Sequence, residues 1–218
     1  MRWRNALLVI CVPGIPLFLL VLLGKCGTHE FGSLGYYDST GQRIESSEGA
    51  LRLSDFALVD QFGDAVNADS LRGTIWLTAF FSIDPATTPY LANMTKQLLW
   101  PNWRYRDEAD VGTLCFSLRP DLDQPADMQA YVQRNTRYNG APGKWIFLTG
   151  DRMDVDQAIA ESFLLERDPT DPYNVATLFL VDSHGYVRQK YLATSEHEIG
   201  EAVEDIALLK KYKKIAER

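Results

Sequence analysis

The chain has 218 residues, 46% of them hydrophobic and 23% charged, enough for one globular core plus an accessory segment but not for two full domains. A formal net charge of -7 argues against a nucleic-acid partner, because phosphate binding needs a basic face. The three cysteines, Cys11, Cys26 and Cys115, stand far apart, with no CxxC pair, zinc spacing or disulfide framework among them.

The first predicted element is a membrane helix. Residues 5–24 (NALLVICVPGIPLFLLVLLG) carry no charge and follow Arg2 and Arg4, so the run is read as one N-terminal transmembrane helix with its N-terminus in the cytoplasm. Lys25 stands where a cleavable lipoprotein signal ending at Cys26 would want a small residue, which favours an uncleaved anchor over a signal peptide. Pro13 and Pro16 free helix carbonyls that neighbouring membrane protein accommodates more easily than lipid does.

Residues 25–50 are Gly/Ser-rich and read as a juxtamembrane linker, with Phe31, Tyr36 and Tyr37 as candidate partner contacts. The globular domain is expected over 51–218. LRLSDFALVDQFGDAV predicts two short strands around a turn at Phe62-Gly63-Asp64. Ile75 to Phe81 predicts a buried strand, and after a short loop Thr88 and Pro89 predict a helix start, with Thr88 as N-cap and a stop before Pro101. Further strands are expected at Val111–Leu118 and Lys144–Thr149, and helices from Pro125 and over Val155–Phe163. A loop with Asp168-Pro169 and Asp171-Pro172 precedes a hairpin, Ala176–Val181 and Tyr186–Tyr191, turning at Asp182–Gly185. A helix from Ser195 closes the chain, with Ser195 and Glu198 as a capping box, glutamates early and lysines late. This order predicts an α/β, thioredoxin-like domain with strands 75–81, 111–118, 144–149 and 176–181 in one sheet. In that fold the strand–loop–helix joint at 81–89 is where chemistry sits, because a helix N-terminus favours an anion or thiolate. Here it holds neither cysteine nor histidine.

FALVDQFGDAV, the LRG before the central strand, the FFS ending it, and the later WIFLTG and LFLVDSHGYV resemble the SCO/SenC proteins over residues 53–210. These are membrane-anchored, thioredoxin-like copper chaperones and thiol reductases that help assemble cytochrome c oxidase. The resemblance places the family's CPxxCP cysteines at Asp84 and Thr88, and its distant histidine near Asn174. Its SVDPxxD motif reads SLRPDLD, with Arg119 replacing the first aspartate and Asp123 kept. A carboxylate, a hydroxyl and an amide are poor ligands for copper(I), and without thiols there is no disulfide exchange.

The sequence therefore predicts no metal ligands, no cofactor and no catalysis. His29, His184 and His197 read as surface residues and Cys115 as an inert core thiol. An Asp84–Asp123 acid pair has no substrate placed between its members. Trp100, Trp103, Arg104 and Arg106 read as filler or as an interface cluster. What the resemblance implies is a non-catalytic accessory or structural subunit of a respiratory membrane complex, cytochrome c oxidase or its supercomplex. It would sit single-pass in a bacterial inner membrane with its domain periplasmic, touching partner subunits near Phe31–Tyr37 and Asp168. The alternatives are a copper chaperone or thiol-disulfide protein using other ligands, and a tethered binding module unrelated to the oxidase.

Overall fold

The structure, a computed structural model, describes residues 34–83, 88–135, 145–165 and 176–216. It opens with two small antiparallel hairpins, β1 (Tyr36–Tyr37) with β2 (Arg43–Ile44), and β3 (Ala57–Val59) with β4 (Ala65–Asn67). The second turns where FGD predicts it: Asp60 Oδ1 accepts the amides of Phe62 and Asp64, and Gly63 takes the left-handed conformation at φ 85°. Then follow β5 (Ile75–Phe81), α1 (Thr88–Arg104), β6 (Val111–Ser117), α2 (Pro125–Asn135), β7 (Trp145–Leu148) and α3 (Arg152–Phe163). The hairpin β8 (Thr177–Val181) and β9 (Val187–Leu192) leads into α4 (Glu196–Ala216).

One sheet of order β7-β6-β5-β8-β9 organises these elements, with β5, β6 and β7 parallel and β8 and β9 antiparallel. Residues 75–81 hold the interior position predicted for them. Every residue of β5 and β6 is buried because both faces are covered, which is why these runs show no polar alternation. Ile75, Leu77, Ala79 and Phe81 meet Met94 and Leu98 of α1, Met128 and Tyr131 of α2, and Ile199 and Ile206 of α4. Trp76 and Phe80 meet Leu58, Val66 and the apolar side of α3, where Phe80 packs edge-on against Phe163 at 5.3 Å.

The edge strand β7 is closed by a side chain. Buried Gln61 donates Nε2 to the Trp145 carbonyl at 2.8 Å and accepts the Phe147 amide at 2.9 Å, standing in for a neighbouring strand.

Two expectations differ from the outcome. The first helix does not stop before Pro101: α1 runs through it to Arg104. Proline removes one helix bond, but Asn102 donates Nδ2 to the Leu98 carbonyl and to Thr113 Oγ1, and the Tyr105 amide reaches the Pro101 carbonyl at 3.1 Å. Thr88, expected as the N-cap, is the first residue described in α1, and residues 84–87 before it lie outside the described residues. The capping box at α4 is only half made: the Glu198 amide donates to Ser195 Oγ at 3.3 Å, whereas the Glu198 carboxylate takes the Leu192 amide at 2.6 Å.

Residues 34–50, expected as linker, belong to the compact unit that starts at Leu34. Tyr36 and Tyr37, the candidate partner contacts, are half-buried against it. Tyr37 donates its hydroxyl to Gln189 at 2.9 Å, and Tyr36 stacks edge-on to Tyr186 at 5.6 Å. Arg188 holds the segment: Nε donates to the Gly35 carbonyl at 3.0 Å, Nη2 to the Leu34 carbonyl and Nη1 to Asp182 at 2.8 Å, while Tyr36 lies over the guanidinium at 4.0 Å. Among the described residues no helix is long and apolar enough to cross a membrane; the expected anchor over 5–24 lies outside them.

Candidate functional site

The joint between β5 and α1 is built from the sheet outward. β5 ends at Phe81, whose carbonyl accepts the Leu118 amide at 2.6 Å, so the ladder with β6 reaches to the end of the strand. Past it, the Ile83 amide donates to Asp123 Oδ1 at 2.8 Å. The other oxygen of Asp123 accepts Ser117 Oγ at 2.5 Å, and Ser117 Oγ in turn accepts the Arg119 amide at 3.0 Å. Asp123 is fully buried at 0% exposure. Its carboxyl is pushed above the usual range by burial, against which the hydrogen bonds from Ser117, Ile83 and Arg119 pull it down.

This arrangement is a clamp. One side chain in the loop after β6 fixes the backbone at Ile83, the residue before Asp84. Asp123, with both oxygens engaged, holds the loop.

Asp84, Asn174 and Asp168 lie outside the described residues, as do Phe31 and His29; Thr88 is placed as the first residue of α1, without its side chain. The described elements on either side of residues 84–87 and 166–175 meet at one end of the sheet. β8 pairs antiparallel with β5, Thr78 opposite Phe179, so β8 begins beside the end of β5 and the start of α1. Phe81, Thr88 and Thr177, the terminal residues of these elements, frame that end.

The other candidates fall elsewhere. His184 lies in the β8–β9 turn, where its amide donates to Asp182 and its carbonyl accepts Arg52 Nε. His197 stands on the surface of α4, 3.7 Å from Glu201. Among the described residues no three His, Cys, Asp or Glu side chains are grouped to hold a metal ion. Cys115 is buried in β6, where desolvation pushes its thiol up to about 12 despite the hydrogen bond from Trp145 Nε1 at 3.3 Å. Alkylation of native protein followed by mass spectrometry is therefore expected to leave Cys115 unmodified until the chain is unfolded. Prompt labelling in the native state would contradict this burial.

Sequence reading had Asp123 only through the resemblance, and missed Ser117 and the Ile83 amide. A hydrogen bond to a backbone amide forty positions away leaves no local pattern.

A sequence model of the SCO1/SenC family matches residues 44–210. The SCO1 protein homolog of Bacillus subtilis is 24% identical over 161 residues, covering 69% of this chain and 79% of its own. Among solved structures, a SCO1/SenC family lipoprotein from Bacillus anthracis superposes with a TM-score of 0.61 at 26% identity, over 73% of this chain and 95% of that one. BsSco, a member of the Sco family of cytochrome c oxidase assembly proteins, gives 0.55 at 22% identity, over 74% and 94%. Copper-bound ScoI from Bradyrhizobium japonicum gives 0.54 at 24% identity, over 75% and 99%. The fold is thus the thioredoxin-like one these proteins share.

Proposed function

Because the chain belongs to the SCO1/SenC family, we propose that it serves the assembly of cytochrome c oxidase, and does so by binding rather than by thiol or redox catalysis. The observation carrying this reading is the joint itself. The clamp of Asp123 on Ile83 and Ser117 keeps the frame at the end of β5, while the positions matching the family's cysteines and histidine are Asp84, Thr88 and Asn174. Such donors hold copper(I) weakly, and the thiol in the described residues, Cys115, is sealed in the core. A frame kept without its reactive groups suits a protein that still docks on the family's partners.

Within that role the finer reading is an accessory or structural component of the oxidase or its supercomplex. It would be held by the apolar run 5–24 in a bacterial inner membrane, with the domain on the periplasmic side. Phe31, Tyr36, Tyr37 and Asp168 remain the proposed contact positions, with the two tyrosines now known to be half-buried against their own domain. The second reading is copper delivery through ligands outside the family motif, favoured by family membership and by the copper-bound relative.

Two measurements separate them. In anaerobic titration against a strong copper(I) chelator, the purified chain is expected to leave the metal with the chelator. Stoichiometric retention would move the conclusion to copper delivery. In gently solubilised membranes the chain is expected to co-migrate with oxidase subunits, and crosslinks from positions 36 or 168 should capture them. Migration alone, with no crosslink, would remove the oxidase reading.

A further inference from the structure

The end of the domain opposite the joint carries a surface that the proposed function does not use. α1 is 17 residues long, about 25 Å of helix, and it leads from the joint to Trp103 and Arg104. Trp103 is 64% exposed, and Arg106 lies over its ring at 4.8 Å while donating Nη1 to the Trp103 carbonyl. α4 finishes at the same end. Lys210 bridges to Glu108 and Asp110, and Lys213 bridges to Asp110 and donates to the Gly73 carbonyl. These bonds fasten the last turns of α4 beside the loop that leaves α1.

Beyond those bridges α4 presents Lys211, Lys214 and Ile215 to solvent, Ile215 at 57% exposure. Arg104 is exposed as well, and neither Arg104 nor Lys214 forms an ion pair among the described residues. Three acids of the described loop after α1 are engaged: Glu108 and Asp110 by the lysines, and Asp107 by Arg106 at 3.5 Å. In a chain of net charge -7, this end thus exposes Arg104 and Lys214 together with a tryptophan and an isoleucine. Indole, aliphatic and basic groups together match the headgroup layer of an anionic bilayer.

The chain's own path points to the same occupant. The described residues begin at Leu34, held by Arg188 next to the β8–β9 turn. That turn lies at this end, because the Gly73 amide, just ahead of β5, donates to the Ser183 carbonyl and Lys213 reaches the Gly73 carbonyl. If residues 5–24 span the membrane, residues 25–33 allow at most about 30 Å of extended chain before Leu34. We infer that the surface formed by Trp103, Arg104, Arg106, Lys214 and Ile215 lies on the anionic lipid surface and turns the joint away from it, towards partners. This inference rests on the membrane-anchor reading.

The test uses the full chain reconstituted into vesicles of phosphatidylcholine, with or without about 30% phosphatidylglycerol, doped with headgroup-nitroxide lipid. Trp103→Phe supplies the signal to subtract, at a site too exposed to threaten folding. Nitroxide quenching of Trp103 is expected to be roughly twofold stronger with the anionic lipid, to fall back in about 1 M salt, where the Debye length is about 3 Å, and to be lost in Arg104→Glu/Lys214→Glu. Equal quenching in both vesicles, or none assignable to Trp103 while the protein resists carbonate extraction, overturns the inference and leaves the anchor standing. Release by carbonate removes the anchor reading and the inference together.

Discussion

Arg188→Ala is expected to lower the unfolding free energy by about 3–5 kcal/mol, the usual cost of stranding one member of a buried ion pair. The guanidinium is only 10% exposed and its partner Asp182 7%. The substitution removes three charge-assisted hydrogen bonds together: to Asp182, to the Leu34 carbonyl and to the Gly35 carbonyl. It also takes away the cation beneath Tyr36. Residues 34–44 should then lift from β9, and trypsin should cut at Arg43 well before the rest of the domain. Urea unfolding in mild detergent, followed by circular dichroism, reads the first effect, and timed proteolysis the second. Arg188→Met combined with Asp182→Asn should recover much of the loss seen with Arg188→Met alone, because asparagine can still accept the His184 and Tyr186 amides without a buried charge. A loss below about 1 kcal/mol, together with an unchanged cleavage rate, would mean that Arg188 does not hold the segment.

That residue shows where reading the sequence stops. The core strands were legible because an uncharged run of seven, bounded by turn residues, has few folds that can bury it. The turns at 62–64 and 182–185 are legible because Asp and Gly close such turns, although the part played by Asp60 in the first is seen only in the structure. Arg188, by contrast, sits in VRQKY and reads as a surface cation. Its partners lie in chain order far from it, at Leu34 and Gly35, and no periodicity reports them. Gln61 is the same case: a polar residue just ahead of a predicted turn that is buried as the cap of an edge strand 84 positions away. Pro101 was misjudged for a related reason. Local chemistry favours a stop there, and the packing of Leu98 and Tyr105 with the bonds made by Asn102 carries the helix past it. As for the site, the resemblance implied which ligands are replaced, while the clamp of Asp123 on Ile83 and Ser117 became visible only in the structure.

Asp123→Ala is the second large effect, expected at about 2–4 kcal/mol because the Ile83 amide and the Ser117 hydroxyl both lose a buried acceptor. The loss should be local as well as global, with faster hydrogen exchange at Ile83 and the first turn of α1 than elsewhere in the sheet. Asp123→Asn separates geometry from charge. It keeps an oxygen for the Ile83 amide, and its Nδ2 can donate to Ser117 Oγ, so most of the stability should survive. The pH dependence fixes the sign. Burial raises the folded-state value of Asp123 above 3.8, so the folded protein binds this proton more readily than the unfolded chain. Between the two values, stability from this group increases as pH falls, and wild type should therefore gain on Asp123→Asn with acidification. Asp110 acts oppositely. Burial raises its carboxyl, but Lys210 and Lys213 outweigh that and leave it below 3.8, so its contribution is lost as pH falls through the folded value. Because Asp110 is present in both proteins, it cancels from the comparison. A stability difference between wild type and Asp123→Asn that stays flat, or moves the other way, from neutral pH down to 3.8 would show that Asp123 is not held as the structure has it. The frame at the end of β5 would then need another support.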